Sequence, residues 1–435
     1  MHITASAQTD VGNQRGHNED ACLVDNDLGL YIVCDGMGGH ASGEVASQET
    51  IRVVQQFIHR QRALIHEYIR RPSFEQRTRV MRLLEDAVDE ACAQVYALGQ
   101  REPARKGMGT TIAMLLTLGE AVMIAHAGDS RIYLIRDQQA HQLTEDHSLV
   151  WHMLKSGKIS KEEAAHSPYA NVITRSVGTR PTVQVDTLFV ECLAEDRFVL
   201  CSDGLHTYLQ HPEELAQLSS RLPPQELVAA CIALANERGG RDNITVLAVQ
   251  IEHVQRSAGE AGVPVTRKIE ALKHIRFFRA CDTHELVKIL NIIRVRSYEP
   301  GDILIAEDTV GDEFFLLLSG QVDVLKKGQK LLTLSPGMPF GETALLERAT
   351  RSATVQAIAP TTVMILHGQD FYAMLEQEPS MAVKLLRSFV LALHQRLRIT
   401  SSELVEARGA LASLHHDAPL EGTVPTTIID LPPQR

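Results

Sequence analysis

Four acidic residues, Asp35, Asp129, Asp203 and Asp242, lie far apart in this chain, yet each sits where a strongly apolar run meets a turn. Leu30-Tyr31-Ile32-Val33-Cys34 runs into Asp35-Gly36-Met37-Gly38-Gly39, and Val122 to Ala127 runs into Gly128-Asp129-Ser130-Arg131. Phe198-Val199-Leu200-Cys201 leads to Ser202-Asp203-Gly204, and Asp242-Asn243 opens the run Ile244 to Ile251. Carboxylates held at strand ends on a rigid sheet can converge, and converging carboxylates repel unless cations lie between them. Hard oxygen ligands favour Mg2+ or Mn2+ over zinc, which calls for His and Cys. The chemistry this pattern suits is metal-assisted hydrolysis.

A chain of 435 residues is too long for one ordinary domain, so two or three are expected. A hydrophobic content of 44% is enough for real cores, and a net charge of −11 argues against a general binder of nucleic acid or anionic membranes. The seven cysteines (Cys22, Cys34, Cys92, Cys192, Cys201, Cys231, Cys281) are odd in number and form no C-x-x-C pair. They read as reduced core residues of a cytoplasmic protein. Met1 to Asp10 lacks an apolar signal core, and no apolar run approaches the roughly 18 residues of a membrane span. The expectation is a soluble cytoplasmic protein with neither a membrane nor a nucleic-acid partner.

Residues 1–252 read as a mixed α+β domain. Short strand runs are followed by helical spacing over 43–70 and 74–100, then strands near 109–118, 121–127, 131–136, 183–190, 197–201 and 244–251. Two long helices beside several strands predict a sandwich. The polar stretch 145–180 carries one short predicted helix near Ser160 to Ala165. Residues 253–266 include Ser-Ala-Gly-Glu-Ala-Gly-Val-Pro and read as a linker. Short helices are expected over 267–290. Closely spaced strands follow from 292 to 366, punctuated by Pro300-Gly301, Ser319-Gly320, Lys327-Gly328 and Pro336-Gly337, the pattern of a small antiparallel barrel. A long helix over 379–414 closes a second domain at 267–415, and 416–435 reads as a disordered tail.

The block Arg15-Gly16-His17-Asn18-Glu19-Asp20, followed by Asp35-Gly36-Met37-Gly38-Gly39-His40, resembles the metal-dependent protein phosphatases of type 2C. The resemblance continues in order through Gly107-Met108-Gly109-Thr110-Thr111, Gly128-Asp129-Ser130-Arg131, Leu143-Thr144-Glu145-Asp146-His147, Ser202-Asp203-Gly204 and Asp242-Asn243-Ile244-Thr245. It implies an αββα sandwich and two bound Mn2+ or Mg2+ ions, with a third, weaker site. A phosphate monoester is doubly negative, and two bridging cations both acidify a shared water and neutralise the phosphoryl oxygens. By the same resemblance Asp35 bridges the two ions and the Gly36 carbonyl ligates one, while Asp203 and Asp242 complete the second site. Glu19 and Asp20 act through waters, Asp129 serves the third ion, and Arg15 clamps the phosphate with its planar fork. Arg131 and His147 fit structural roles better.

Met37 departs from the pattern. Many eukaryotic relatives carry there a His that is the proposed proton donor, and Met cannot donate. The general acid stays open between His40 and a metal-bound water, and the Met form is similar to the bacterial branch of the family. The segment Trp151 to Gly178, with Asn171-Val172-Ile173-Thr174-Arg175, resembles the family's flap.

Phe340-Gly341-Glu342-Thr343-Ala344-Leu345-Leu346 followed by Arg351-Ser352-Ala353-Thr354-Val355 resembles the phosphate-binding cassette of cyclic nucleotide-binding domains. Gly341 allows a tight turn into a short helix whose N–H groups face an anion. Glu342 accepts from the ribose hydroxyl, Arg351 reaches the cyclic phosphate, and Thr343 and Ser352 complete the nucleotide-binding set. Cyclic AMP is favoured over cyclic GMP. The resemblance implies a β-roll with flanking helices, and the 379–414 helix either closes over the nucleotide or pairs in a homodimer. No helix-turn-helix follows, which removes a transcription-factor reading. Together the two resemblances imply a protein serine/threonine phosphatase acting on phosphoproteins, with a serine/threonine kinase or its targets as partners and a cyclic nucleotide as effector. The alternatives are a non-catalytic nucleotide sensor, or an active phosphatase with a dimerising barrel.

Overall fold

Several strands of this chain are apolar at every position, so neither face of them can meet water, and their period-two alternation sorts the side chains between two different layers. The computed structural model describes residues 1–38, 42–165, 167–169, 172–254, 271–275, 278–281, 283–342, 349–378, 381–388, 390, 391, 394, 398, 402 and 405. Its first part runs β1 (His2–Asp10), β2 (Ala21–Asp25), β3 (Leu30–Cys34), β4 (Gly36–Met37), α1 (Ser42–Arg60), α2 (Arg62–Arg70), α3 (Phe74–Arg101), β5 (Gly109–Thr110), β6 (Ile112–Thr117), β7 (Ala121–Ala127), β8 (Arg131–Arg136) and β9 (Gln139–Gln142). It continues through α4 (Leu149–Lys155), α5 (Lys161–Ala165), β10 (Asp186–Glu191), β11 (Arg197–Cys201), α6 (Asp203–His206), α7 (Glu213–Ser219), α8 (Pro224–Glu237) and β12 (Ile244–His253).

Two five-stranded antiparallel sheets result, ordered β1-β12-β11-β8-β9 and β10-β7-β6-β3-β2. On β3, Leu30, Ile32 and Cys34 pack with Val54, Ile58, Leu84 and Val88 of α1 and α3. Tyr31 and Val33 point the other way, into the space between the sheets. On β12, Leu247, Val249 and Ile251 enter that same space, while Ile244, Val246 and Ala248 lie under Leu215, Leu227 and Cys231 of α7 and α8. The product is the helix–sheet–sheet–helix sandwich expected from the sequence. Helix α3 presents Val80, Leu84, Ala87, Ala91 and Val95, three or four residues apart, and its N-cap Ser73 side chain accepts from the Gln76 N–H at 3.2 Å.

The helical pattern over 43–70 is two helices rather than one. The chain turns at Gln61, whose N–H reaches the carbonyls of both Phe57 and Ile58. Helices α4, α7 and α8 and strand β9 were not foreseen. Apolar positions are few in α4, α7 and β9, whereas α8 is apolar throughout Leu227 to Ala235, so no amphipathic period stood out in any of them.

The second part runs α9 (Thr283–Asn291), β13 (Ile293–Tyr298), β14 (Ile303–Ile305), β15 (Val310–Gly311), β16 (Glu313–Ser319), β17 (Val322–Lys326), β18 (Gln329–Leu334), β19 (Pro339–Phe340), β20 (Ala349–Thr350), β21 (Thr354–Ala357), β22 (Thr361–His367) and α10 (Gly368–Gln377), with helical residues again from 381. Two four-stranded antiparallel sheets, β13-β22-β16-β19 and β14-β21-β17-β18, form a roll. Alternation works here too: Phe315 and Leu317 of β16 fill the roll, while Phe314 and Leu316 pack outward on the helices with Leu286, Phe371 and Leu385.

Helix α9 docks on β10, the edge strand of one sheet. Val287 joins the inter-sheet core, and the Asn291 side-chain amide donates to the Phe189 carbonyl at 2.8 Å and accepts from its N–H at 3.2 Å. Arg77 donates to the Asn291 carbonyl, and the Arg294 guanidinium lies 4.3 Å from the Phe74 ring centroid. Exposed edge groups are thereby paired across the junction.

All seven cysteines are free, and all but Cys22 are buried. Among the described residues no helix is long and apolar enough to cross a membrane. Residues 255–266 of the expected linker, 406–414 of the long helix and the tail 416–435 lie outside the described residues. Because Leu247 is fully buried between the two sheets, Leu247→Ala is expected to lower unfolding free energy by about 2–5 kcal/mol. Denaturation followed by circular dichroism checks this.

Candidate active site

Strand β3 delivers Asp35 to one end of the sandwich and pins its backbone there. The Asp35 N–H donates to Thr111 Oγ1 at 2.9 Å, and its carbonyl accepts from the Thr111 N–H at 2.9 Å and from Thr110 Oγ1 at 2.8 Å. Gly36 follows because nothing larger fits: a Cβ there would lie 2.3 Å from the Gly43 carbonyl oxygen and 2.4 Å from that of Glu19. Asp129 follows β7, Asp203 opens α6 after β11, Asp242 precedes β12, and Asp20 precedes β2. Hydrogen bonds tie these ends together. Ser202 Oγ donates to Asp20 Oδ2 at 2.8 Å and accepts from the Thr245 N–H at 3.0 Å. Asn243 Oδ1 accepts from the Glu19 N–H at 2.8 Å, and its Nδ2 donates to the Val11 and His17 carbonyls, each at 3.0 Å.

The carboxylates act on one another. Burial, then the charges of Asp20, Asp203, Asp129 and Asp242, hold the Asp35 carboxyl well above its ordinary range. Burial pushes Asp20 and Asp129 up to about 7, with the Asp203 charge contributing to both. Asp203 rises to about 6, through burial and then Asp242. Asp20 Oδ1, Asp129 Oδ1 and Asp203 Oδ1 are buried without a hydrogen-bond partner among the described residues. Among those residues no three His, Cys, Asp or Glu side chains are placed close enough together to hold a metal ion as they stand. What they form is a ring of like charges with unsatisfied oxygens, and this all-oxygen environment suits Mg2+ or Mn2+. The nearby His206 is kept neutral by burial, which lowers its pKa to about 3, and its Nε2 lies 3.0 Å from the Asp129 carbonyl.

The other expected residues fall around this ring. Glu19 is buried, its Oε1 accepting from the Gly43 N–H at 3.2 Å with His17 Nε2 3.5 Å away. Arg15 donates from Nη2 to Asp242 Oδ2 at 2.7 Å, so it neutralises one member of the ring while staying half exposed. Met37 lies on β4 opposite Gly109. His40 and Asn171 are outside the described residues.

Arg131 grips Asp146 with both branches of its fork, at 2.8 and 2.6 Å. Burial alone would raise the Asp146 carboxyl, but the Arg131 hydrogen bonds and charge hold it below the ordinary range. His147 Nδ1 accepts from the Gly128 N–H at 3.1 Å, and its Nε2 lies 3.1 Å from Asp186 Oδ2. Arg175 donates to Asp186 Oδ1 at 2.7 Å. Both Arg131 and His147 therefore occupy supporting positions. Sequence reasoning missed Ser202, Asn243, His206 and Asp186. The first two adjoin motif carboxylates and were within reach, whereas Asp186 comes from an edge strand with no local mark.

A second constellation lies in the roll. Gly341 adopts φ +76°, and a Cβ there would sit 3.0 Å from both Arg351 Nη1 and the Glu313 carbonyl oxygen. Arg351 is buried, donates from Nη2 to the Glu313 carbonyl at 2.9 Å, and has its guanidinium pushed down by burial. The structure thus brings Gly341 and Arg351 together, with Glu342 and Ser352 as their chain neighbours. Thr343 lies outside the described residues.

A four-layer sandwich with interacting carboxylates at the ends of its central strands defines a hydrolase of the phosphatase class. Comparison with known proteins makes this specific: the protein phosphatase 2C profile matches residues 13–236, and the chain belongs to that family as a protein serine/threonine phosphatase. A cyclic nucleotide-binding domain profile matches residues 295–378. The serine/threonine phosphatase stp of Listeria monocytogenes serotype 4b is 36% identical over 260 residues, covering 59% of this chain and 98% of the relative. The serine/threonine phosphatase PstP/Ppp of Mycobacterium tuberculosis superposes with a TM-score of 0.51 at 32% identity, covering 58% of this chain and 99% of that one. The catalytic domain of PstP in complex with two manganese ions gives a TM-score of 0.50 at 31% identity, covering 58% and 99%.

The carboxyl shifts carry a sign. A carboxyl whose folded pKa exceeds its unfolded value of ~4 binds its proton more tightly when folded. The cation-free protein therefore loses stability as pH rises from ~4 to about 7, by which point Asp203, Asp20 and Asp129 have ionised. Cations replace those protons. The rise in melting temperature caused by Mn2+ is expected to be larger near pH 8 than near pH 5.5, a comparison that differential scanning fluorimetry makes directly.

Proposed function

We propose that this phosphatase hydrolyses phosphoserine and phosphothreonine monoesters with two divalent cations, Mn2+ or Mg2+, and that a cyclic nucleotide bound by the C-terminal roll regulates it. The observation carrying the first part is the set of buried, unpartnered oxygens on Asp20, Asp129 and Asp203 within one ring of carboxylates. Asp35, Asp203 and Asp242, with the Gly36 carbonyl, would hold the two ions, while Glu19 and Asp20 orient the surrounding waters and Asp129 serves a weaker third site. When bound, the cations supply Lewis-acid activation of water and neutralise the phosphoryl oxygens.

The chain's own residues do the rest. Arg15, half exposed beside Asp242, is free to turn its fork to an incoming phosphate, and an ion at Asp242 would release it for that contact. The backbone clamps on Asp35 and Asn243 keep the carboxylates from spreading under their own repulsion. The catalytic unit is assigned to 1–252 and the nucleotide-binding unit to 267–415. The 379–414 helix is the candidate homodimer contact. A cytoplasmic setting, with a serine/threonine kinase or its targets as partners, fits this organisation.

For the second part, the buried Arg351 beside Gly341 is a cation prepared for an anion and now resting on a carbonyl and on Glu313, whose Oε2 is 3.5 Å away. Cyclic AMP is the favoured ligand. Full-length protein is expected to release phosphate from a phosphothreonine peptide only with Mn2+ or Mg2+. Asp203→Ala should cost more than the ~10–100-fold lost when only an outer-shell partner of a metal is removed. Arg351→Ala should abolish the heat of cyclic AMP binding in calorimetry and any response of the rate to it. Full activity in Asp203→Ala, or no heat with the unaltered protein, would falsify the corresponding half.

A further inference from the structure

Four charged side chains meet where the two units touch, two from each and alternating in sign. Lys155 Nζ donates to Glu145 Oε2 at 2.6 Å and lies 3.5 Å from Glu378 Oε2. Lys288 pairs with Glu378 Oε1 and stands 4.0 Å from Glu145 Oε1. The four are 29, 19, 20 and 13% exposed in the order Lys155, Glu145, Glu378 and Lys288, so they are screened less than surface pairs.

Each member sits at a mechanically informative place. Glu145 is followed directly by Asp146 and His147. The latter's N–H donates to the Gly128 carbonyl at 2.7 Å and its Nδ1 accepts from the Gly128 N–H, one residue before Asp129. Ser148 then caps α4, accepting from the Trp151 N–H, and Lys155 ends that helix. The cluster therefore holds both ends of 145–155, the segment that leads from the carboxylate ring into the flap.

On the other side, Glu378 caps the C-terminus of α10, its N–H donating to the Met374 carbonyl. That helix begins at Gly368, whose N–H donates to the Asp312 carbonyl at 2.7 Å. The next residue, Glu313, pairs in register with His367 and supplies the carbonyl that Arg351 holds. An anion that draws Arg351 away from Glu313 thus acts at the start of a ten-residue helix, whose far end lies about 15 Å away, at the cluster.

We propose that Glu145, Lys155, Lys288 and Glu378 form a latch through which the state of the C-terminal roll sets the position of α4, and with it access of phosphoprotein to the active site. These are positioning residues, and the proposal rests on the nucleotide-responsive reading above for its effector alone. A latch is a two-state element that both units bias, which makes the claim one about coupling rather than proximity.

The test is a double-mutant cycle on full-length protein with Glu378→Gln, Lys155→Gln and the pair combined. KM is measured for a phosphothreonine peptide and kcat for p-nitrophenyl phosphate, which is too small to need the flap. Each single variant is expected to raise the peptide KM by about threefold or more, the combined variant to resemble either one, and kcat for the small substrate to stay within about twofold. Loss of folded protein would instead lower both rates together, and thermal melts report it separately. Singles that match the unaltered protein, or effects that multiply in the combined variant, overturn the latch. Adding cyclic AMP or cyclic GMP separates the two proposals. A non-additive cycle in a protein whose rate ignores both nucleotides keeps the latch and rejects the effector. A rate that responds in the unaltered protein but not in the combined variant supports both.

Discussion

Repulsion among buried carboxylates is the constraint around which the catalytic unit is organised. Asp20, Asp35, Asp129, Asp203 and Asp242 come from five separate points of the chain, and burial together with the charges of neighbouring carboxylates raises the proton affinity of Asp20, Asp35, Asp129 and Asp203. Left on flexible loops they would move apart. They stay because each is attached to a strand end or helix start, and because Ser202, Thr111 and Asn243 cross-brace those ends. The destabilisation that remains is what a divalent cation relieves, so affinity for the ion and strain in its absence have one origin.

Such bracing requires a scaffold that does not give, and the double sandwich supplies one. Every residue of β3 and of β7 is buried, half toward helices and half toward the opposite sheet. A slip of one residue in register would send each side chain to the wrong layer, so the strand ends are fixed to within the packing of the core. Gly36 shows how closely they are fixed. The chains around it approach until even a methyl group is excluded.

This division explains what the sequence disclosed. Continuous apolar runs ending in Asp were visible because burial on both faces leaves an unbroken hydrophobic signature, and so β3, β7, β11 and β12 and the carboxylates beside them were legible. The two-sheet roll was legible from its regular Gly-containing turns. Helix α4 was not, since Leu149–Lys155 is short and contains no fully buried residue, and α8 was not because its apolar stretch Leu227 to Ala235 runs without a polar face to mark a period. Asp186 was invisible for a different reason. Its role depends on His147 and Arg175 arriving from elsewhere, and only tertiary structure brings a carboxylate, an imidazole and a guanidinium together at an edge strand.

A rigid centre restricts where control can enter. Displacing any strand end would disrupt the ion site outright, so a graded response has to act on elements attached to the core without being part of it. Segment 145–155 meets that description: it is tied inward through Gly128 and Arg131, yet α4 itself contributes nothing to the inter-sheet core. The C-terminal unit meets the sandwich on this same flank. Its helix α9 inserts Val287 between the sheets and satisfies the edge of β10 through the Asn291 side chain, so the docking is anchored by apolar contact and by an amide paired with the Phe189 backbone. The charges at 145, 155, 288 and 378 add a second, polar contact between the units beside this apolar one. A polar contact distinct from the apolar one can rearrange while the nucleotide-binding unit stays docked.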